Sequence, residues 1–333
     1  MSSLRPSCKH RVGSAEGLYV FDVAINSEAR VASTASDHSL HVLQLDDLRE
    51  EVALRPHSKT ITCIEFSQSN PHIIFSSSTD KSAAMWDLRA KTPSLRFTFG
   101  EEALSVSCSL NDSLLAVAVG SRISFRDIRN GSQSSLGEYA DVHTDLVTAV
   151  KFSLDSPTLL VSGGEDGLVN VYDTAAVSGE TAVQSIMNVD CPPRRIGFFQ
   201  REGLYCLAST EIASFWHYPS AQRIGNFTSI REDRAVDYLT DCFVEPAEER
   251  LFLLAGKFSG AGSLLQTEPS MMSLSATLEL GHEDIVRSCA YHSSSRTLVT
   301  GGEDGNICAW NMSSLTADES EDMADSKTKR RKT

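Results

Sequence analysis

Three histidines open segments that carry the same polar residues in the same order. His57, His143 and His282 are each followed 22 or 23 residues later by an aspartate (Asp80, Asp166, Asp304), and each aspartate is followed six residues on by an aromatic residue (Trp86, Tyr172, Trp310). Ser76, Ser162 and Thr300 lie between the histidine and the aspartate. His, Ser and Asp are the residue types of a nucleophilic triad, whose serine attacks an acyl carbon while the histidine takes its proton. That chemistry needs one set in one pocket. A set that recurs three times at fixed spacing behaves instead as a hydrogen-bonded network that locks equivalent units, so no residue is assigned to catalysis. Loss of one member should leave its buried partners unsatisfied, at a cost of roughly 1–3 kcal/mol of stability.

Other reaction signatures are missing or incomplete. The patterns GxxxxGK[ST], HExxH and GxSxG do not occur. GKFSGAGS, from Gly256 to Ser263, comes nearest to a phosphate loop but lacks the closing Lys-Ser/Thr, and it reads as a turn between strands. Glu245, Glu248 and Glu249 are close enough in sequence to pair, but a solvated loop is their expected setting. Eight cysteines show no CxxC pair, and Cys63, Cys108, Cys206 and Cys308 sit in apolar runs, which points to reduced thiols packed as small hydrophobes. No metal and no cofactor is expected.

The elements that position the three sets follow from their period. With the aspartate as a ruler, Asp37 to Asp80 is one repeat, while the gaps from Asp80 to Asp166 and from Asp166 to Asp304 hold two and three. The missing members fall on degenerate segments around Gly120, Thr210 and Ser259, giving seven repeats. Each contains short strands with period-two alternation, such as Thr62, Ile64 and Phe66 against Ile61, Cys63 and Glu65. Four such strands in about 40 to 45 residues make one propeller blade. The expected fold is all-β: a single closed seven-bladed β-propeller over residues 1–315, with blades near 18–47, 57–90, 95–129, 143–175, 186–219, 236–267 and 282–313. The Ser- and Gly-rich runs Asn130 to Ala140 and Thr174 to Gln184 are expected to be loops. Residues 316–333 are expected to be a disordered tail, acidic and then basic.

The His, Ser/Thr, Asp and Trp sets resemble the WD-repeat family. The resemblance implies that the histidine lies in the loop entering a blade, the Ser or Thr on its second strand, the aspartate in the next turn and the tryptophan on the third strand. It also implies a structural tetrad and an adaptor role without defined chemistry. Blade one departs from the pattern, keeping Ser33 and Asp37 but carrying Leu43 at the Trp position and Ser14 near the His position. Family analogy lets the stretch before Leu18 supply the outermost strand of the last blade, which would remove an exposed edge.

A formal net charge of −14 argues against broad phosphate-backbone binding by the folded part and favours basic partners. The tetrad brings the His loops and Asp turns to one face, which collects Asp145, Glu165, Glu283, Asp284 and Glu303, interrupted by Lys59 and Arg287. That face is expected to receive basic protein segments. In the tail, the acidic run from Asp318 to Asp325 precedes Lys327, Lys329, Arg330, Arg331 and Lys332, a cluster that reads as a nuclear import signal. No secretory leader and no run long enough to cross a bilayer is present, so a soluble intracellular protein is expected. The expected role is a non-enzymatic scaffold of the nucleus, including the nucleolus, with the cytoplasm as the alternative location. It would act as a monomeric subunit of a larger complex. Two alternatives stand beside it: an RNA-associated assembly factor, as in ribosome biogenesis, touching nucleic acid through the tail, and a substrate receptor of a ubiquitin ligase.

Overall fold

Short strands with apolar residues at alternate positions, joined by tight turns, pair with their neighbours in sequence. In the computed structural model, which describes residues 2–13, 17–55, 57–90, 92–129, 135–176, 179–247 and 249–316, they form seven sheets whose sequence-neighbouring strands pair antiparallel. The first strands of the sheets are Val20–Ile25, Ile61–Phe66, Ala103–Cys108, Val147–Phe152, Pro193–Phe199, Tyr238–Glu245 and Val286–His292. Each adjoins the next, and the seventh adjoins the first. The sheets therefore stand as blades around an axis, with these inner strands lining a central cavity of about 1630 Å3. Between blades the cores are apolar. Val31 and Leu43 of blade one, for instance, pack with Val299 and Ile307 of blade seven.

The turn between second and third strands contains one left-handed residue in every blade: His38, Lys81, Gly120, Gly167, Glu211, Gly260 and Gly305. In blades one, two, four and seven it directly follows the signature aspartate. GKFSGAGS forms this turn in blade six, between Arg250–Gly256 and Gly262–Glu268.

The outer strands reach further than the sequence limits. They run over Glu50–Leu54, Thr92–Thr98, Ser135–Tyr139, Val183–Asn188, Gln222–Phe227 and Met271–Leu278. Residues 95–98 thus complete blade two, and 186–188 complete blade four. Part of each run expected to be a loop is an outer strand instead. An outer strand pairs on one edge and faces water, so it needs little apolar content; in Ser135–Tyr139 only Tyr139 is buried.

The N-terminal segment closes the ring. Cys8–Arg11 pairs antiparallel with Asn306–Asn311 as the fourth strand of blade seven. Ser2–Leu4 adds a parallel fifth strand to blade six, with Leu4 opposite Leu278. Leu4 enters the buried cluster of Leu278, Trp310 and Met312, so one short segment pins two blades. Ser14, Glu248 and the tail from residue 317, including Lys327, Lys329, Arg330, Arg331 and Lys332, lie outside the described residues. Among the described residues, no helix is long and apolar enough to cross a membrane.

Candidate functional site

The loops that enter the inner strands and the turns after the second strands share the upper face of the ring. In blade two, His57 Nδ1 lies 3.0 Å from Asp80, its Nε2 lies 2.8 Å from Ser76 Oγ, and Trp86 Nε1 donates to Ser76 Oγ at 3.1 Å. Blade seven repeats this with His282 3.0 Å from Asp304 and 2.8 Å from Thr300, whose oxygen accepts from Trp310 at 2.9 Å. In blade four, His143 stands 3.0 Å from Asp166 and 2.7 Å from Ser162, and Tyr172 Oη lies 2.9 Å from the same oxygen. Backbone N–H groups of Ser58, Thr144 and Glu283 donate to the aspartates, fixing each loop over its turn. Gly164 and Gly302 make room for the histidines, because a Cβ at either would meet the ring. Their sequence signal was the Gly-Gly before each Glu-Asp.

These hydroxyls cannot act as nucleophiles. Ser76, Ser162 and Thr300 are fully buried, and each is held between a histidine and an aromatic side chain. Burial pushes His57 and His143 below their ordinary values, disfavouring the imidazolium that general-base work requires. Burial alone would raise Asp80, but hydrogen bonds from Ser82, the Ser58 N–H and His57 outweigh it and bring the carboxyl to about 2. Asp166 and Asp304 are lowered for the same kind of reason. In blade one, where Leu43 takes the tryptophan's place, Ser33 Oγ is buried without a hydrogen-bond partner among the described residues. There Asp37 is bound by Ser39, which also lies 2.6 Å from His41.

A second network, which the sequence did not single out, joins the inner strands. Thr62, Thr148 and Thr240 donate to the first carbonyls of the following inner strands, Ala103, Pro193 and Val286, at 2.7, 3.0 and 3.2 Å. Within the channel Arg195 lies 3.5 Å from Asp22 and 3.4 Å from Asp241. Lys151 pairs with Glu65 at 2.5 Å, and Glu65 also accepts from Ser107 and the Cys108 N–H. The channel charges therefore serve one another across blades. The thiols are free, and burial pushes Cys63 up to about 11 and Cys206 and Cys308 up to about 12, so they rest as neutral side chains.

The acidic residues of the upper face divide into two groups. Asp145, Glu165 and Glu283 are exposed and Asp284 is half-buried, and none of the four forms an ion pair among the described residues. The sectors are built alike: Asp145 Oδ1 accepts from the Leu146 N–H and Asp284 Oδ1 from the Ile285 N–H, both at 2.8 Å. Leu146, beside Asp145, is 39% exposed. Glu303 belongs to the other group, because Arg287 donates to it through Nε at 2.6 Å and neutralises it. Glu245, expected in a solvated loop, is instead buried at the lower end of blade six, 3.6 Å from both Arg250 and Arg296.

Seven blades in a closed ring, three of them locked by His–Ser/Thr–Asp–aromatic networks, define a β-propeller of WD repeats. The family model described as WD domain, G-beta repeat matches residues 49–87, 135–173 and 272–311, each span holding one outer strand and the three strands after it. The chain belongs to the WD-repeat family. It is similar to the WD repeat-containing protein GTS1 of Arabidopsis thaliana, 30% identical over 280 residues that cover 76% of this chain and 71% of the relative. It is also similar to the WD repeat-containing protein 89 homolog of Dictyostelium discoideum, 26% identical over 301 residues, covering 88% of this chain and 82% of the relative. A chain in the crystal structure of a mitotic checkpoint complex shares the fold, with a TM-score of 0.77, 15% identity and coverage of 94% of this chain and 93% of that one.

Proposed function

We propose that this protein is a non-catalytic docking platform of the nucleus, which holds basic segments of partner proteins against the acidic sectors of blades four and seven. The observation that carries the reading is the group Asp145, Glu165, Glu283 and Asp284, unpaired among the described residues, with the exposed apolar side chain of Leu146 between the first two. An apolar anchor beside unpaired charge suits a segment that brings Lys or Arg next to an apolar residue. Complementary charge would steer its approach and reject acidic competitors. Glu303 is left out of the surface because Arg287 already satisfies it. The nuclear location rests on the basic cluster Lys327, Lys329, Arg330, Arg331 and Lys332 at the end of the chain.

Affinity purification of the tagged protein from nuclear and cytoplasmic extracts, with and without nuclease, tests this against a variant carrying Asp145→Lys, Glu165→Lys and Asp284→Lys. The expected result is a nuclease-resistant set of nuclear proteins that the variant loses. Retention of the whole set by the variant overturns the docking surface. Partners that vanish with nuclease put an RNA-associated assembly role in its place. Deleting Lys327 to Lys332 without any change of location removes the import reading.

A further inference from the structure

We propose that the acidic run Asp318 to Asp325 of this chain docks along the outer edge of blade seven, on the cationic strand Cys8–Arg11 that closes the ring. The strand has two unlike faces. Cys8 and His10 turn toward blade one, where Cys8 Sγ donates to the Asp46 carbonyl at 3.5 Å and His10 lies 3.9 Å from Glu50. Lys9 and Arg11, two residues apart, take the opposite, exposed face. Neither forms an ion pair among the described residues, nor does the exposed Arg5 just before them. Such a concentration of uncompensated cations stands out in a chain with 44 acidic and 30 basic residues. Among the described residues the strand pairs only with Asn306–Asn311, which leaves its other edge open there.

The chain's own end supplies the matching charge. Its last described turn, Ser313–Thr316, lies at the lower end of the same blade, with the Met312 N–H donating to Arg296 O at 2.8 Å. Leu315 packs on the cluster that contains Leu4, the residue before Arg5. Asp318, Glu319, Glu321 and Asp322 follow within six residues of Thr316. An extended run of six residues spans about 20 Å, enough to climb the side of one blade. Glu319 and Glu321 carry the same two-residue spacing as Lys9 and Arg11, so an extended segment presents both carboxylates to both cations. The contact would cover an open strand edge with charge and clasp the two ends of the chain over the last blade. It would also keep the acidic run from neutralising the basic cluster beyond it.

Amide hydrogen exchange of residues 2–11 in the full chain provides the test, comparing wild type with a variant carrying Asp318→Asn, Glu319→Gln, Glu321→Gln and Asp322→Asn. Exchange in the segment should rise several-fold in the variant. The same rise should follow Lys9→Glu with Arg11→Glu, and also salt near 1 M, where the screening length falls to about 3 Å. Adding Glu319→Lys and Glu321→Lys to the Lys9→Glu, Arg11→Glu chain should restore protection, a rescue that simple damage to the strand would not show. Unchanged exchange in the neutralised variant, or failure of the charge swap to rescue, overturns the proposal. Protection that grows with protein concentration overturns it in favour of a second copy on the strand. Loss of a bound acidic protein or RNA from the Lys9→Glu, Arg11→Glu chain, without any change in exchange on neutralising the tail, assigns the strand to a foreign partner and likewise overturns it.

Discussion

The guanidinium of Arg195, on the inner strand of blade five, stands 3.5 Å from the Asp22 carboxylate of blade one, so an ion pair joins two blades that are not neighbours. The same guanidinium reaches Asp241 of blade six at 3.4 Å, and Asp22 accepts from Ser288 of blade seven at 2.8 Å. One cation on blade five therefore bridges acids on blades one and six. Burial raises the Asp241 carboxyl above its ordinary value, and the charge of Arg195 opposes that rise.

Replacing Arg195 with Met should strand both carboxylates. The Arg195, Asp22 and Asp241 side chains are 28%, 9% and 15% exposed, so channel water screens part of the loss. The expected cost is about 2–3 kcal/mol, below the range for breaking a fully buried pair. Urea unfolding of Arg195→Met measures it. Adding Asp22→Asn and Asp241→Asn should recover most of the loss, because no buried charge then lacks a partner.

Two serines at equivalent positions should respond in opposite directions. Ser76 Oγ accepts from Trp86 and lies against His57, and Ser76→Ala orphans both nitrogens in a buried site. A loss of about 2–3 kcal/mol is expected. Ser33 occupies the matching place in blade one, fully buried with no hydrogen-bond partner among the described residues, where Leu43 replaces the tryptophan. Ser33→Ala removes an unsatisfied hydroxyl and should be neutral or stabilising by up to about 1 kcal/mol. Equal destabilisation by the two changes in denaturant titrations would sink the account.

The contrast between these serines shows which parts of the fold are legible in the sequence. A tetrad recurs at fixed spacing because each member must meet the others inside a blade, and that constraint is visible without coordinates. The inner strands are equally legible through their alternation. Outer strands such as Ser135–Tyr139 carry no such signal, since water accepts any polar residue on their open side. Asp22, Glu65, Lys151 and Arg195 look like the ordinary polar members of alternating strands. Only closure of the ring brings residues from distant repeats within 2.5–3.5 Å of one another. The acidic upper face was readable as a set of residues, but its division was not, because the pairing of Glu303 with Arg287 depends on side-chain direction.

Stability should fall with acid in two stages. His57 and His143 sit below 6.5 in the folded protein, so between their folded values and 6.5 the unfolded chain binds more protons, and stability drops as pH falls through that window. Asp80 titrates at about 2 when folded against 3.8 when free, so a further loss of the same sign sets in below 3.8. Each group contributes at most about 1.4 kcal/mol per pH unit within its window. Thermal melts from pH 8 to 4 should be flat above 7 and decline below 6.5. The double variant His57→Gln with His143→Gln, though less stable at neutral pH, should lose most of the upper stage, leaving the share of His10, which burial also lowers. An unaltered slope in that variant would show that other groups govern the acid response.

Closure by the N-terminal segment predicts a graded response to trimming it. Leu4 is 9% exposed within the cluster of Leu278, Trp310 and Met312, so Leu4→Ala should cost about 2–3 kcal/mol, while the ring stays closed through Cys8–Arg11. Deleting residues 2–11 removes both strands and uncovers the edges of Asn306–Asn311 and Met271–Leu278. Free edges with unpaired N–H and C=O groups recruit other chains, so the truncated protein should both melt earlier and self-associate. Light scattering during a melt separates the two effects: Leu4→Ala should shift the transition and remain monodisperse, whereas the deletion should scatter below its transition. A truncated protein that stays monodisperse with an unshifted transition would mean that blades six and seven hold together without the segment.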